Sequence, residues 1–337
     1  MKSVVLKDAG GVDSLHLIDG PDPEPGPSEI VVRMRAAALN YRDLLVVKGG
    51  YGSKQRIKNL IPLCDGAGEV ASVGAGVTRF KVGDRVMANP FRDWISGPPT
   101  EAKLASSIGS MLDGCLSEMR IFGEQALVAT PKNLSDVEAA ACPCAGLTAW
   151  SAIVTQGAVA PGDVVLIQGT GGVSLFALQF AKLAGALTVV TSSSDEKLER
   201  VKALGADLMI NYRSDEHWGK TARAWTGGRG VDHVVEVGGA GTLKQSMLAI
   251  RPAGSIYLIG VLSGARHELI LPPIVMQNMR LQGITVGNRD GLEAMNRAME
   301  ANGLKPVVGR TFAMEDYKDA WAFLGSGGHF GKIVIEI

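Results

Sequence analysis

The densest run of residues that could do chemistry is Val164-Val165-Leu166-Ile167-Gln168-Gly169-Thr170-Gly171-Gly172-Val173-Ser174-Leu175. Gly169, Gly171 and position 174 have the spacing GxGxxG, with Ser174 in the last place. An apolar strand precedes the turn, a helix over Leu175–Leu183 follows, and Leu187–Thr191 completes a strand–helix–strand unit. Gly169 permits a tight turn. Gly171 and Gly172 carry no Cβ, so the backbone can approach a pyrophosphate closely. A helix that starts near Val173 offers unpaired N–H groups and the positive end of its dipole. Ser174 is small enough for helix and strand to pack closely. In this context the pattern points to a dinucleotide; a plain strand-to-helix turn is the competing reading.

The next strand decides which dinucleotide. Where the ribose 2′-OH is bound, an acid stands about 20 residues on. Here the strand ends Thr191-Ser192-Ser193-Ser194, and Asp195 reads as a helix N-cap. A 2′-phosphate wants hydroxyls and cations. Ser192, Ser193 and Lys197 supply them, and Tyr212-Arg213 can flank the adenine. NADP(H) is therefore favoured over NAD(H). Val237-Gly238 and Gly260-Val261 end later strands and are expected to line the nicotinamide slot, because α/β folds bind ligands at the carboxyl ends of their strands. Lys332, after Phe330-Gly331, is a further cofactor candidate.

Elements must hold these residues. At 337 residues with 46% apolar content and 43 glycines, the chain suits two domains with a large core. Up to Leu127, short β-type runs (Ser3–Leu6, Ile30–Ala37, Gly68–Val73, Arg85–Ala88) are separated by glycine-rich turns, which predicts a β-rich barrel-like domain. Residues 90–123 read as an irregular surface excursion. Beyond Leu127, apolar strands alternate with helices over Val164–Gln168, Leu187–Thr191, Met209–Tyr212, Val231–Val237, Gly254–Ile259 and Leu281–Val286. That is the pattern of a parallel sheet covered on both faces. A helix over Asp290–Asn302 and a strand over Ile333–Ile337 follow, and the strand is expected to join the N-terminal sheet.

Lys+Arg and Asp+Glu both number 34. A neutral balance argues against nucleic acid or an anionic membrane as partner. With charges breaking Ser3–Asp8 and no run of 18 apolar residues, neither a secretory signal nor a membrane span is expected, and the chain is read as cytoplasmic. Cys64, Cys115, Cys142 and Cys144 are read as buried thiols. His16, His217, His233, His267 and His329 are dispersed and form no metal-spaced group.

Taken together, Asn40-Tyr41-Arg42-Asp43, Gly66–Val77, Lys81-Val82-Gly83-Asp84-Arg85-Val86, Ala145-Gly146-Leu147-Thr148-Ala149-Trp150 and the glycine turn resemble the medium-chain dehydrogenase/reductase superfamily over nearly the whole chain. The resemblance implies an α/β protein: a GroES-like β-rich catalytic domain (1–125 and 289–337) split around a Rossmann doubly wound parallel-sheet domain (126–288), with the active site in the cleft between them. It also implies a homodimer through Rossmann edge strands, here Leu281–Val286. Zinc alcohol dehydrogenases have a Cys where Asn40 stands, a His-Glu pair where Cys64-Asp65 stands, and a Cys-rich lobe. This chain lacks all three, so no metal site is expected, and it is similar to the zinc-independent quinone oxidoreductases and enoyl reductases.

Without a metal, the substrate must spread charge by itself. A quinone or α,β-unsaturated carbonyl does so by conjugation. By resemblance, Tyr51 in Gly49-Gly50-Tyr51-Gly52 matches a proton-donor place, Asn40 lies by the nicotinamide ribose, and Thr148 contacts the nicotinamide side; Asp43 reads as structural. The expected activity is NADPH-dependent reduction of an activated C=C bond or quinone on a small-molecule substrate. A zinc-type alcohol or aldehyde dehydrogenase, and a crystallin-like NADPH-binding protein without catalysis, are the alternatives.

Overall fold

Val164–Gln168 reads Val-Val-Leu-Ile-Gln, and all five residues are buried. A strand apolar on both faces has to be covered on both. In the computed structural model, which describes residues 1–52, 55–266 and 268–337, this strand sits inside a six-stranded sheet. The order is Leu208–Asn211, Leu187–Ser192, Val164–Gln168, Val231–Glu236, Ile250–Leu258, Arg280–Gly283. Every pairing is parallel. The chain winds one way from Val164–Gln168 and then the other from Val231–Glu236, so the sheet is doubly wound and its direction reverses between those two strands. Leu166, Val189, Val234 and Ile256 pack with Trp218, Ala222 and Leu243 in its core.

This sheet belongs to a unit spanning Thr148–Val286; Met1–Leu147 with Gly287–Ile337 forms a second compact unit. The boundary therefore lies beyond the expected 125. The reason is local: Leu127–Ala129 pairs antiparallel with Arg85–Ala88, and Asp136–Ala140 packs on the strands Glu29–Leu39 and Asp65–Val73. Both elements complete the β-rich unit.

The backbone of that unit is the strand Glu29–Leu39. It pairs along one edge with Asp65–Val73. Its first half pairs on the other edge with Met119–Gly123, and its second half with Lys332–Glu336. Register shifts near Val31 and Met34 bend it enough to serve two partners. The C-terminal strand thus joins the N-terminal sheet, as the sequence suggests. Met119–Gly123, read as part of an irregular excursion, is instead a sheet strand. The helix Asp136–Ala140 starts on a capping box between Ser135 and Glu138, and a separate helix covers Ala145–Trp150.

Candidate active site

In the Thr148–Val286 unit, Gly169 takes φ +74°, a left-handed conformation natural to glycine. The helix spans Gly172–Leu183, with Gly171 as N-cap and no side chain capping it. Its first N–H groups are thus offered by backbone alone, which fits the pyrophosphate of a dinucleotide. Val173 lies inside its first turn. Ser174 is buried and its Oγ donates to Gln168 O at 2.6 Å, binding helix to strand end.

Ser192 ends the second strand and is buried, with Ser193 half-buried beside it. Ser194, rather than Asp195, is the N-cap of the next helix: its Oγ accepts from Lys197 N. Asp195 occupies the first helical position and accepts from Asn211 Nδ2 at 2.7 Å. Tyr212 N donates to Ser192 O at 3.0 Å, so the backbone of Tyr212, an exposed residue, lies beside that strand end. Lys197 is half-buried; burial first and then the Arg200 charge lower its pKa. Sequence reasoning missed Arg200, although it stands three residues on, one turn along the same helix face.

Val237, Gly238, Gly260 and Val261 do come together. A Cβ on Gly260 would lie 2.3 Å from Val237 O, so the turns touch backbone to backbone. Ser263 N and Oγ donate to Gly238 O at 2.7 and 2.8 Å. The Gly238 N–H is spent inside the protein, on Gln168 Oε1 and Glu236 Oε1. Glu236 is fully buried and also accepts from Gly239 N, Thr242 Oγ1, Gln168 Nε2 and Ser246 Oγ. Gln168 and Glu236 thus lock the 237–242 turn to the strand that ends at the glycine turn. An acid at the carboxyl end of a strand, Glu236 after Val234-Val235, is the signal that could have found this lock. Thr148 is buried on the helix Ala145–Trp150.

In the other unit a polar cluster is buried. Asn40 begins the helix Tyr41–Val46 and its N–H donates to Asp43 Oδ2 at 2.7 Å. Its side chain faces Asp65: Nδ2 donates to Asp65 Oδ2 at 2.9 Å, and Oδ1 accepts from Lys332 Nζ at 2.7 Å. Lys332 Nζ also donates to Asp65 Oδ2 at 2.9 Å and to Leu39 O at 2.7 Å. Its three donors are used, so Lys332 is a structural cation of this unit and not the cofactor contact expected of it. Burial works hardest against the ammonium, but the Asp65 charge and hydrogen bond, together with Cys144 and Cys64, outweigh it and the Lys332 pKa is raised. Asp43 is buried with Oδ1 unpartnered, and burial, opposed by the Arg42 charge, pushes its carboxyl up to about 6.

Tyr51 is half-buried, and the Arg42 guanidinium lies 4.4 Å from its ring centroid. Burial raises the phenol's pKa against the pull of that cation, so the proton stays on at neutral pH. Arg42 and Asp65 were not singled out as site residues from sequence, and Cys144 was read as a bland thiol. Cys64, Asp65 and Cys144 place ligand atoms within 4.8 Å of one another. Among the histidines, His233 is buried between Tyr257 OH at 3.1 Å and Asp163 at 3.3 Å, and His267 lies outside the described residues.

Those three side chains raise the question of zinc, which takes three protein ligands and an open position in a catalytic site. Both Asp65 oxygens are already engaged. Oδ1 accepts from Cys144 N at 2.7 Å and from Cys64 Sγ at 3.6 Å; Oδ2 accepts from the ammonium and the amide. A dication at Asp65 would sit against the Lys332 charge, and hydrogen bonding to Cys144 and burial push the Cys64 thiol up, away from a thiolate ligand. The donor set as arranged does not fit zinc.

Comparison with known proteins agrees with the two units. Residues 26–132 match the alcohol dehydrogenase GroES-like domain, and residues 172–301 the zinc-binding dehydrogenase family. A zinc-type alcohol dehydrogenase-like protein of Schizosaccharomyces pombe is 40% identical over 100% of this chain and 99% of its own length. A putative alcohol dehydrogenase from Sinorhizobium meliloti 1021 superposes with TM-score 0.92 and 43% identity, covering 99% of this chain and 98% of the other. An acryloyl-coenzyme A reductase of Sulfurisphaera tokodaii is 26% identical over the full length of both. With a GroES-like unit, a doubly wound Rossmann-like unit and relatives of this kind over its whole length, the chain belongs to the medium-chain dehydrogenase/reductase superfamily of oxidoreductases.

Proposed function

We propose that this protein reduces an activated C=C bond or a quinone with NADPH and without a metal. The observation that carries the reading is the state of Asp65: its carboxylate is saturated by Lys332, Asn40 and the Cys144 N–H, while a protonated Tyr51 is held over Arg42. A site of this kind has a proton to give but no Lewis acid to polarise a simple carbonyl. The reduced nicotinamide, when bound, supplies the hydride. The turn at Gly169–Ser174 holds the pyrophosphate, and Ser192, Ser193, Lys197 and Arg200 favour a 2′-phosphate, because an anion there would offset the burial and the Arg200 charge that lower the Lys197 pKa. Tyr51 delivers the proton to the carbanion or enolate that hydride addition leaves. An acryloyl-coenzyme A reductase among the relatives is in keeping with a conjugated substrate.

The second reading, a zinc-type alcohol dehydrogenase, is favoured by the closeness of Cys64, Asp65 and Cys144. The test is NADPH oxidation over quinones, enals, enoyl thioesters and simple ketones, with metal analysis of the same sample. Turnover confined to the conjugated compounds is expected, and Tyr51→Phe should lower it about 100-fold. Turnover of simple ketones that tracks stoichiometric zinc would overturn the proposal.

The same reading places a second copy of the chain at the strand Arg280–Gly283, which is one edge of the six-stranded sheet. This strand is shorter than the expected Leu281–Val286, because Ile284 and Val286 turn inward and are buried. Ile270, Leu271, Val275 and Met276, just before it in sequence, are exposed, which supports a homodimer on that edge. Among the described residues no helix is long and apolar enough to cross a membrane.

A further inference from the structure

Arg42 is a buried cation with part of its guanidinium unsatisfied. Its NH2 donates to Ser107 Oγ at 2.9 Å, Ser110 Oγ at 2.8 Å and Ile108 O at 3.3 Å. These anchors are all neutral, and all come from residues 107–110, the middle of the excursion that sequence alone could not place. Nε and NH1 are buried and have no partner. Among the described residues no carboxylate lies within ion-pair distance of Arg42, and the neighbouring Asp43 carboxylate is turned to the Asn40 N–H. A buried guanidinium with two idle nitrogens is costly unless something supplies the acceptors. The Tyr51 ring packs on the same guanidinium, its centroid 4.4 Å from Cζ.

We propose that Arg42 and Tyr51 form an oxyanion subsite, which takes the carbonyl oxygen of a conjugated enone, enoyl thioester or quinone. This rests on the reductase reading and adds the substrate's orientation to it. In the step, hydride from the reduced dinucleotide forms a C–H bond at the β-carbon. The C=C electron pair shifts to the new enolate, whose oxygen gains the negative charge opposite Arg42. Tyr51 then gives its proton to the enolate, and the tyrosinate is reprotonated from water. Arg42 stabilises charge that exists only after hydride transfer has begun, so its contribution falls on the transition state. The Ser107–Ser110 turn has a task under this reading: it holds the cation rigid without neutralising it.

An enolate is mimicked by a phenolate that cannot be reduced. We expect 4-nitrophenol, titrated against the full chain with NADP⁺ present and followed by absorbance, to bind as the anion, favoured about tenfold over its proportion in free solution. Arg42→Met should remove that preference while NADPH binding, read by fluorescence, stays intact. Should Arg42→Met fail to fold, Arg42→Lys decides, since an ammonium cannot both stack on Tyr51 and reach the three oxygens of the 107–110 turn; it should lose most of the preference. An unchanged preference in either folded variant, or none in the parent protein, overturns the proposal. Phenolate preference without turnover of any conjugated compound would sink the reductase reading and leave the subsite standing. Turnover without phenolate preference would do the opposite.

Discussion

The turn at Gly169–Ser174 and the cluster around Asp65 are built on opposite plans. The turn works through backbone: a left-handed glycine, an N-cap without a side-chain partner, and the start of a helix. Its residues are contiguous. The cluster works chiefly through the side chains of Asn40, Asp65 and Lys332, joined by the Cys144 N–H, from four separate stretches of chain. Backbone sites depend on shape and tolerate changes in charge nearby. A buried side-chain cluster depends on charge balance, and removing one member leaves the others uncompensated.

The sharpest way to break this contrast is Lys332→Met. Asp65 would be left buried with its counter-ion gone, and unfolding free energy should fall by about 3–5 kcal/mol in denaturant titration. Adding Asp65→Asn should recover part of that loss, because the unpaired charge is then gone too; no recovery would show that packing, not charge, holds the cluster. A smaller effect is expected at Asp43. Its folded pKa of about 6 lies above the unfolded value, so the stability it contributes is full below about pH 4 and is lost as pH rises through about 6. Between pH 4 and 7 the parent should lose about 2–3 kcal/mol relative to Asp43→Asn; parallel stability curves would contradict the shift. Smallest is Lys197→Ala in the other unit. NADPH should weaken about tenfold and NADH hardly at all, and equal weakening would deny it contact with the 2′-phosphate.

The same contrast explains what the sequence made legible. The alternation of apolar strands and helices after Leu127 announces the parallel sheet, because periodicity is a local property. The glycine turn is legible for that reason, and Ser192, Ser193 and Lys197 can be named together because they lie within six residues at one strand end. The cluster is not. Lys332 follows Gly331 at the start of a strand and reads as a cofactor contact, yet the antiparallel pairing of its strand with Glu29–Leu39 buries its side chain against Asn40 and Asp65. Cys144 reads as a small apolar residue, and only the fold brings its N–H to Asp65, 79 positions away. Arg42 reads only as one member of the Asn40–Asp43 motif, and its contacts come from residues 65 to 68 positions away. Gln168 and Glu236, at 68 positions apart, were hidden by the same distance.

The pairing of Glu29–Leu39 with Lys332–Glu336 also sets an order in time. Lys332 Nζ and Leu39 O are 293 positions apart, and the whole Thr148–Val286 unit lies between them in the chain. During synthesis the Rossmann-like unit is complete and contiguous while the β-rich unit still lacks an interior strand and the counter-ion of Asp65. The glycine turn therefore exists on the nascent chain before the Asp65 cluster can be complete, and the ribosome must deliver residue 332 before that carboxylate meets its counter-ion.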